Sequence, residues 1–372
     1  MKKIKVAHLT SAHPRYDVRV FVKECKSLAE NGFLVSLVVA DGKGNECLDN
    51  VEIYDVGVSK GKLDRVLNIT RRVFKQALDI NADIYHLHDP ELLLVANKLR
   101  KLGKIVIFDA HEDLPKQILS KPYLRPWQRK IFSLLAKRLE IYVCSRINAV
   151  VTATPTIQKK FSKFQSLAVD INNYPILNEL LIESCDWNAK ANQVCYAGGL
   201  TQIRGIEEMI IAVKSIPGVS IKLAGGFQSK DFEDQAKNIA NANVSFLGFI
   251  DRMALKNLYG ESRAGMVVLY PTPNHLESLP IKMFEYLSAG IPVICSNFPL
   301  WQEIISKHQC GLCVDPQNVE EITEAIRYLL SNSEIAIEMG ENGKKAVQSY
   351  YNWENECAKL INLYEHLRDK NE

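Results

Sequence analysis

Two glutamates, Glu277 and Glu285, stand with seven residues between them in NHLESLPIKMFEYLSAGIPVICS (274–296). The spacing and surroundings suit a doubly charged, polyhydroxylated ligand. Ser278 can cap a helix that starts near Pro280, where a proline fits because the first N–H groups of a helix have no intrahelical acceptor. The amides of Ser278, Leu279 and Ile281 would then point, with the positive end of the helix dipole, beyond the preceding strand MVVLYP (266–271), making an anion site. Glu277 lies just before the helix and Glu285 about two turns inside, so the carboxylates flank the anion position at about 10 Å. Sugar hydroxyls, diphosphate and ribose hydroxyls in a row have that layout.

The elements that must position these groups follow a clear rhythm. β-branched runs alternate with helical stretches: KVAHLT, VRVFVKECKSLAENG, FLVSLVVA, then ADIYHLHD, ELLLVANKLRKLG, KIVIFDAHED and INAVVTAT. Strand–helix–strand repetition predicts an α/β fold with parallel sheets, and Asn31-Gly32 and Gly103 supply helix stops. The rhythm breaks over 170–193 and restarts at VCYAGGL, so the chain reads as two doubly wound domains, 1–175 and 190–349, with a helix at about 350–372 returning to the first. A length of 372 residues is consistent with two domains. Such sheets bind ligands at the carboxyl ends of their strands, which places the expected ligand in a cleft between the domains. No strand is followed by GxGxxG, which argues against a dinucleotide oxidoreductase.

A hydrophobic fraction of 47% and a charged fraction of 24% exclude a disordered chain. No apolar run approaches 18 residues and the N-terminus lacks a secretory pattern, so the expected location is cytoplasmic. Nine scattered cysteines fit reduced thiols. Cys310 and Cys313 have CxxC spacing, but a short alternating strand explains them better than zinc or redox chemistry, since no second pair completes a ligand set. A net charge of +3 is too small for nucleic acid.

The glutamate pair followed by YLSAGIPVI resembles the signature of the retaining GT-B glycosyltransferases of family 4. That resemblance implies two Rossmann-like domains facing across a cleft and transfer of a hexose-type sugar from a nucleotide-diphosphate donor, UDP- or GDP-linked. Glu277 would contact the sugar near its reacting carbon and Glu285 the ribose. GGLTQIRGIEEMI (198–210) is similar to the family's Gly-x-Leu-x-x-x-Lys-Gly segment, with Gly198 and Gly199 admitting the diphosphate and Arg204 in the lysine position, where a guanidinium grips phosphate bidentately. A second family cation falls at Gly199, which has no side chain, and Lys282 is the candidate replacement. Gly225, at the end of VSIKLAGG, joins the donor set. VSFLGFIDRMALKNLY (244–259) resembles the segment that cups the base, through Phe249 and Ile250. IFDAHED (107–113) places His111 at the sugar end, as a second catalytic residue beside Glu277. TSAHPRYDVRVFVKE (10–24) resembles the first loop of members that build bacterial surface polysaccharides, so His13, Arg15, Asp17 and Arg19 would face a saccharide or lipid-linked acceptor. No Asp-x-Asp motif is present, and neither a metal nor a cofactor is expected. A nucleotide-sugar epimerase or hydrolase of the same fold, or a silent nucleotide-sugar-binding subunit, is the alternative.

His86, His88 and Asp89 in HLHDPE could gather a metal, but no third ligand is evident along the sequence, and an acceptor-lining or loop-stabilising role is expected instead. Residues 116–146 hold eight basic residues against Glu140 alone, a charge of +7 in a chain whose remainder is −4. From Trp127, positions 131, 135, 139 and 143 are apolar, with Leu134 and Tyr142 beside them. Preceded by PYLRPW, this is a basic amphipathic helix expected at an anionic membrane surface; a helix covering the first sheet is the alternative.

Overall fold

The computed structural model describes residues 3–119, 121, 124–182 and 187–370. The chain forms two compact units, Met1–Asn173 with Glu354–Glu372, and Tyr174–Trp353. Tyr174 thus already belongs to the second unit, inside the stretch where the sequence rhythm breaks.

The first unit is built on an eight-stranded sheet. Its strands are β1 (Lys5–Leu9), β2 (Leu34–Val39), β3 (Glu46–Leu48), β4 (Val51–Asp55), β5 (Ile84–Leu87), β6 (Ile105–Ala110), β7 (Ala149–Thr152) and β8 (Ala168–Asp170), in the order β3-β4-β2-β1-β5-β6-β7-β8. All neighbours are parallel except β3 and β4. β5, β6 and β7 are buried throughout, as parallel strands covered on both faces must be, and they read accordingly as nearly continuous apolar runs. The exceptions are His86 in β5, Asp109 in β6 and Thr152 in β7, all fully buried, as is His8 in β1.

After β1 the chain winds through a π-helical stretch, Val18–Cys25, into the α-helical Lys26–Glu30. A π turn bonds residues five apart, and here the Val22 amide donates to Asp17 O. The winding sets Arg19 against Glu24, five positions on, at 3.2 Å. The helix Trp353–Asp369 completes this unit by burying Leu360, Leu363, Tyr364 and Leu367.

The helix Pro126–Cys144 leaves most of its apolar positions off the sheet. Its buried side is made by Glu140, Val143 and Cys144, while Trp127 (57% exposed), Ile131, Phe132, Leu134, Leu135 and Tyr142 lie open to solvent. Only the C-terminal end of the predicted stripe covers the sheet. Pro122 and Tyr123 of PYLRPW lie outside the described residues.

The second unit carries a six-stranded, all-parallel sheet: β9 (Gln193–Ala197), β10 (Ser220–Ala224), β11 (Val244–Gly248), β12 (Ala264–Val267), β13 (Val293–Ser296) and β14 (Gly311–Val314), in the order β11-β10-β9-β12-β13-β14. Numbered along this unit, the order is 3-2-1-4-5-6, so the strand sequence reverses between β9 and β12 and a crevice opens at their carboxyl ends. The core beneath holds Val194, Tyr196, Ile221, Leu223, Met266, Tyr286, Ile294 and Trp301. Cys313 sits in register with Cys295, their sulfurs 3.8 Å apart, rather than with Cys310. Among the described residues every cysteine is a free thiol.

Candidate active site

Three glycine turns meet at the carboxyl edge of the second sheet. Gly198 follows β9 with φ 142°, and its amide donates to Ala224 O at 2.8 Å; Gly225 follows β10 with φ 138° and donates to Gly248 O at 2.7 Å. A Cβ on Gly225 would overlap Gly198 O, so only glycine permits this backbone-to-backbone approach. Phe249, next in line, is 91% exposed, with its ring over Gly226, whereas Ile250 packs against the core.

Two cations converge on the first of these turns. Lys282 Nζ donates to Tyr196 Oη at 2.8 Å, lies 4.0 Å above that ring and fills the space where a Gly198 side chain would begin. Arg204 reaches back to Gly199 O at 3.4 Å. Burial, and then the neighbouring Arg204 charge, push the Lys282 ammonium well below its ordinary value. Lys282 also sits in the first turn of the helix Ile281–Ser288, at the end of the dipole that repels cations. Among the described residues neither Lys282 nor Arg204 has a carboxylate within ion-pair distance, so the electrostatics of this corner are those of an anion site.

The glutamates stand on either side of that helix start. Glu277 ends the short helix Pro273–Leu276. Glu285 is buried and accepts from Arg252 Nη1 at 2.8 Å and Tyr259 Oη at 3.2 Å, while Arg252 also grips Glu179 through both of its carboxylate oxygens. Glu285 lies one turn into the helix rather than two. The predicted cap is also corrected: the N-cap position is Pro280, and Ser278 instead closes the preceding turn, with its hydroxyl and its amide both donating to His275 O at 3.0 and 3.2 Å. The Ser278 amide is therefore not free for a ligand. Proline at the N-cap, which has no side chain to bond the next amides, leaves them to other partners.

In the first unit the strand order reverses between β1 and β5, and there the polar residues cluster. A cavity of about 240 Å³ is lined by His13, His88, Asp89, Asp109, His111 and Glu140 among others. His111, just past β6, brings Nε2 to 3.1 Å from Asp109 Oδ2 and 3.2 Å from His88 Nδ1. His13 pairs with Asp17 at 3.5 Å and Asp89 at 3.6 Å, and its ring lies 4.9 Å from that of His111.

The expected acceptor-facing set is only partly assembled. His13 lines the cavity, and Asp17 caps the helix by accepting from the Arg19 and Val20 amides at 2.9 Å. Arg15 and Arg19 are both buried in ion pairs within the chain. The Arg15 guanidinium is buried against Asp41 (2.7 Å) and Glu46 (2.8 Å). That of Arg19 is buried in a bidentate pair with Asp109, at 3.0 and 3.1 Å, and donates to Ile171 O at 2.9 Å. Buried guanidiniums need such partners.

The view that HLHDPE lacks a third ligand is also corrected. His8 pairs in register with His86 across β1 and β5, and His8 Nδ1 lies 2.9 Å from His88 Nε2. Glu24 Oε2 stands 3.6, 3.8 and 4.0 Å from His8, His88 and His86. Burial, then neighbouring imidazoles, hold His8 and His86 well below the usual histidine range, and burial takes His88 to about 4, so all three rings are neutral near pH 7. One hint in the sequence was the matching offset of His8 and His86 in their strands. Glu24 and Tyr364 gave none.

Two doubly wound units in series are the architecture of the GT-B glycosyltransferases. Two family profiles cover the chain in turn: residues 18–169 match Glycosyltransferase Family 4, and residues 178–346 match Glycosyl transferases group 1. The chain is thus a family 4-like glycosyltransferase. It is 25% identical to an uncharacterised glycosyltransferase of Methanocaldococcus jannaschii over 97% of this chain and 98% of that one. Among solved structures, sucrose-phosphate synthase from Thermosynechococcus elongatus superposes with a TM-score of 0.80 at 19% identity, over 99% of this chain and 100% of that one. Anabaena HepE, solved in complex with UDP and glucose, gives 0.76 at 14% identity, over 98% and 100%.

Proposed function

We propose that this enzyme transfers a hexose-type sugar, with retention of configuration, from a nucleotide-diphosphate sugar to a saccharide or lipid-linked acceptor in polysaccharide synthesis. The observation that carries the reading is the pair Lys282 and Arg204, unneutralised beside a helix start and glycine turns. Breaking the bond between the anomeric carbon and the phosphate oxygen puts negative charge on the diphosphate, and these cations stabilise it as it grows. The acceptor oxygen bonds to the anomeric carbon from the face the phosphate leaves, and the acceptor's proton passes to the departing phosphate oxygen. Glu277 positions the sugar, Glu285 holds the ribose, and His111 meets the sugar end. The UDP complex of HepE supports a uridine donor. With cations supplied by the chain, the diphosphate needs no divalent ion, and turnover begun in excess EDTA is expected to continue; immediate loss with rescue by Mn²⁺ would overturn that part.

The carrying test is kinetic. Thermal-shift screening of nucleotide sugars identifies the donor, after which Glu277→Ala is expected mainly to lower kcat and Glu285→Ala mainly to raise the donor KM. Wild-type turnover by Glu277→Ala sinks the assignment.

The place of action follows from the helix Pro126–Cys144. Its exposed Trp127, Ile131, Leu134 and Leu135 beside Arg125 and Lys130 support reversible attachment to the cytoplasmic face of an anionic membrane, where each engaged basic residue contributes about 1 kcal/mol. No helix among the described residues is long and apolar enough to cross a membrane. Co-sedimentation with anionic vesicles should weaken with salt and disappear when Lys121, Arg125, Arg129 and Lys130 become Ser. Indifference to both returns the helix to a structural role.

A further inference from the structure

Five of the chain's eight histidines, His8, His13, His86, His88 and His111, gather in the first unit. Three of them, with Glu24, make an arrangement that glycosyl transfer does not use. His8, Glu24, His86 and His88 are each buried to the last few per cent of their surface, and each offers one ligand atom within 4.8 Å of the other three. Neither carboxylate oxygen of Glu24 accepts a hydrogen bond: Oε1 faces Arg19 Nε at 3.2 Å as an ion pair, and Oε2 is aimed at the three imidazoles. A buried carboxylate oxygen without a donor is costly, and Oε2, on the side away from Arg19, has none.

We propose that these four side chains form a binding site for a single divalent cation of the zinc class. Zinc held tetrahedrally by nitrogen and oxygen ligands at about 2.0–2.2 Å sets them roughly 3.4 Å apart. The triangle of His8 Nδ1, His88 Nε2 and Glu24 Oε2 has edges of 2.9, 3.6 and 3.8 Å, which bracket that value. His86 Nδ1, 4.0 Å from Glu24 Oε2, closes the set. It now accepts or donates a 2.6 Å bond with Tyr364 Oη, and that hydroxyl has His8 Nε2 at 3.4 Å as its alternative partner.

The surroundings are those of a metal centre. Ligating histidines direct their outer nitrogen to a carboxylate or another polar group, which fixes the ring. His88 turns Nδ1 toward Asp109 Oδ2 at 3.4 Å, His86 turns Nε2 toward the same oxygen at 4.0 Å, and Tyr364 stands over His8. Arg19 anchors both acids, so the carboxylate that would ligate and the one that would orient are held by one guanidinium. Three imidazoles with one carboxylate suit Zn²⁺ or Co²⁺ and disfavour Mg²⁺ and Ca²⁺, which prefer all-oxygen shells. The ligands come from β1, the π-helical stretch, β5 and the residue that follows β5, so the ion would tie these elements together, and its role is structural.

This inference is independent of the transfer reaction, and its test needs no substrate. The full chain, stripped by chelation and dialysed, is titrated with Co²⁺ and with Zn²⁺. One equivalent of Co²⁺ is expected to give the intense visible absorption of a tetrahedral site, Zn²⁺ to displace it, and Zn²⁺ alone to raise Tm. Glu24→Gln should weaken affinity at least tenfold, whereas His308→Ala, in the other unit, should leave it unchanged. Absence of the cobalt spectrum together with an unchanged Tm overturns the proposal, and so does full affinity in a folded Glu24→Gln. If Glu24→Gln does not fold, the wild-type spectrum, stoichiometry and Tm decide alone.

Discussion

The two sheets present polar residues at equivalent places, the carboxyl ends of the strands where the order reverses, and treat them in opposite ways. In the second unit Lys282 and Arg204 lie side by side with no acid in ion-pair reach among the described residues, and burial and mutual repulsion depress the lysine. In the first unit Arg15 and Arg19 are each bound by two carboxylates. Charge left uncompensated marks where a ligand completes the electrostatics, and the guanidiniums of Arg15 and Arg19, compensated within the chain, hold the first unit together. The distinction is independent of residue type, since Arg204 and Arg19 look alike in a sequence.

Substitutions can break this contrast. The largest effect is expected for Arg19→Met, which removes the guanidinium shared by the buried Asp109 and Glu24 and should cost about 3–5 kcal/mol in chemical denaturation. A loss below about 1 kcal/mol would show that the pair is not the scaffold described here. Lys282→Met should act in the reverse sense. Its kcat/KM is expected to fall roughly 100- to 1000-fold, while Tm rises because a desolvated, repelled ammonium has been removed. A variant that loses both activity and stability would make Lys282 structural, and the contrast would fail.

A smaller effect sharpens the comparison within the first unit. Burial raises the Glu140 carboxyl to about 7 from its ordinary 4.5, although Lys160, 2.6 Å away, opposes the shift. The folded state therefore binds this proton more tightly than the unfolded one, so its contribution is complete below about pH 4.5 and is lost as pH rises through about 7. Wild type should lose roughly 1–3 kcal/mol between pH 5 and 8 relative to Glu140→Gln in urea melts. A wild-type-minus-variant difference that is the same at both pH values would remove Glu140 as the titrating group.

The same contrast explains what could be read from the residues in order. Around Gly198–Arg204 and Glu277–Glu285, function is carried by local turn chemistry, and the glycines, the spacing and the helix start are visible within short windows. Even there the cap was misplaced, because Ser278 has a competing acceptor in His275 O that propensity does not reveal. In the first unit, partners come from distant windows: Arg19 with Asp109, His8 with His86, and Tyr364 with both histidines. For the helix Pro126–Cys144, heptad-like spacing says which residues share a face, and nothing about whether that face meets the sheet.

Tyr364 also bears on how the chain is made. The histidine pocket opens with residues near the start of synthesis, yet the hydroxyl that covers it lies in the helix Trp353–Asp369, after the entire second unit. At about 5–20 residues per second, the ribosome takes roughly 10–40 s to translate the intervening stretch Tyr174–Trp353. Throughout that interval the first unit has emerged without its last helix, with His8, His86 and Glu24 uncovered. The second unit, continuous in sequence, is the one able to finish folding first.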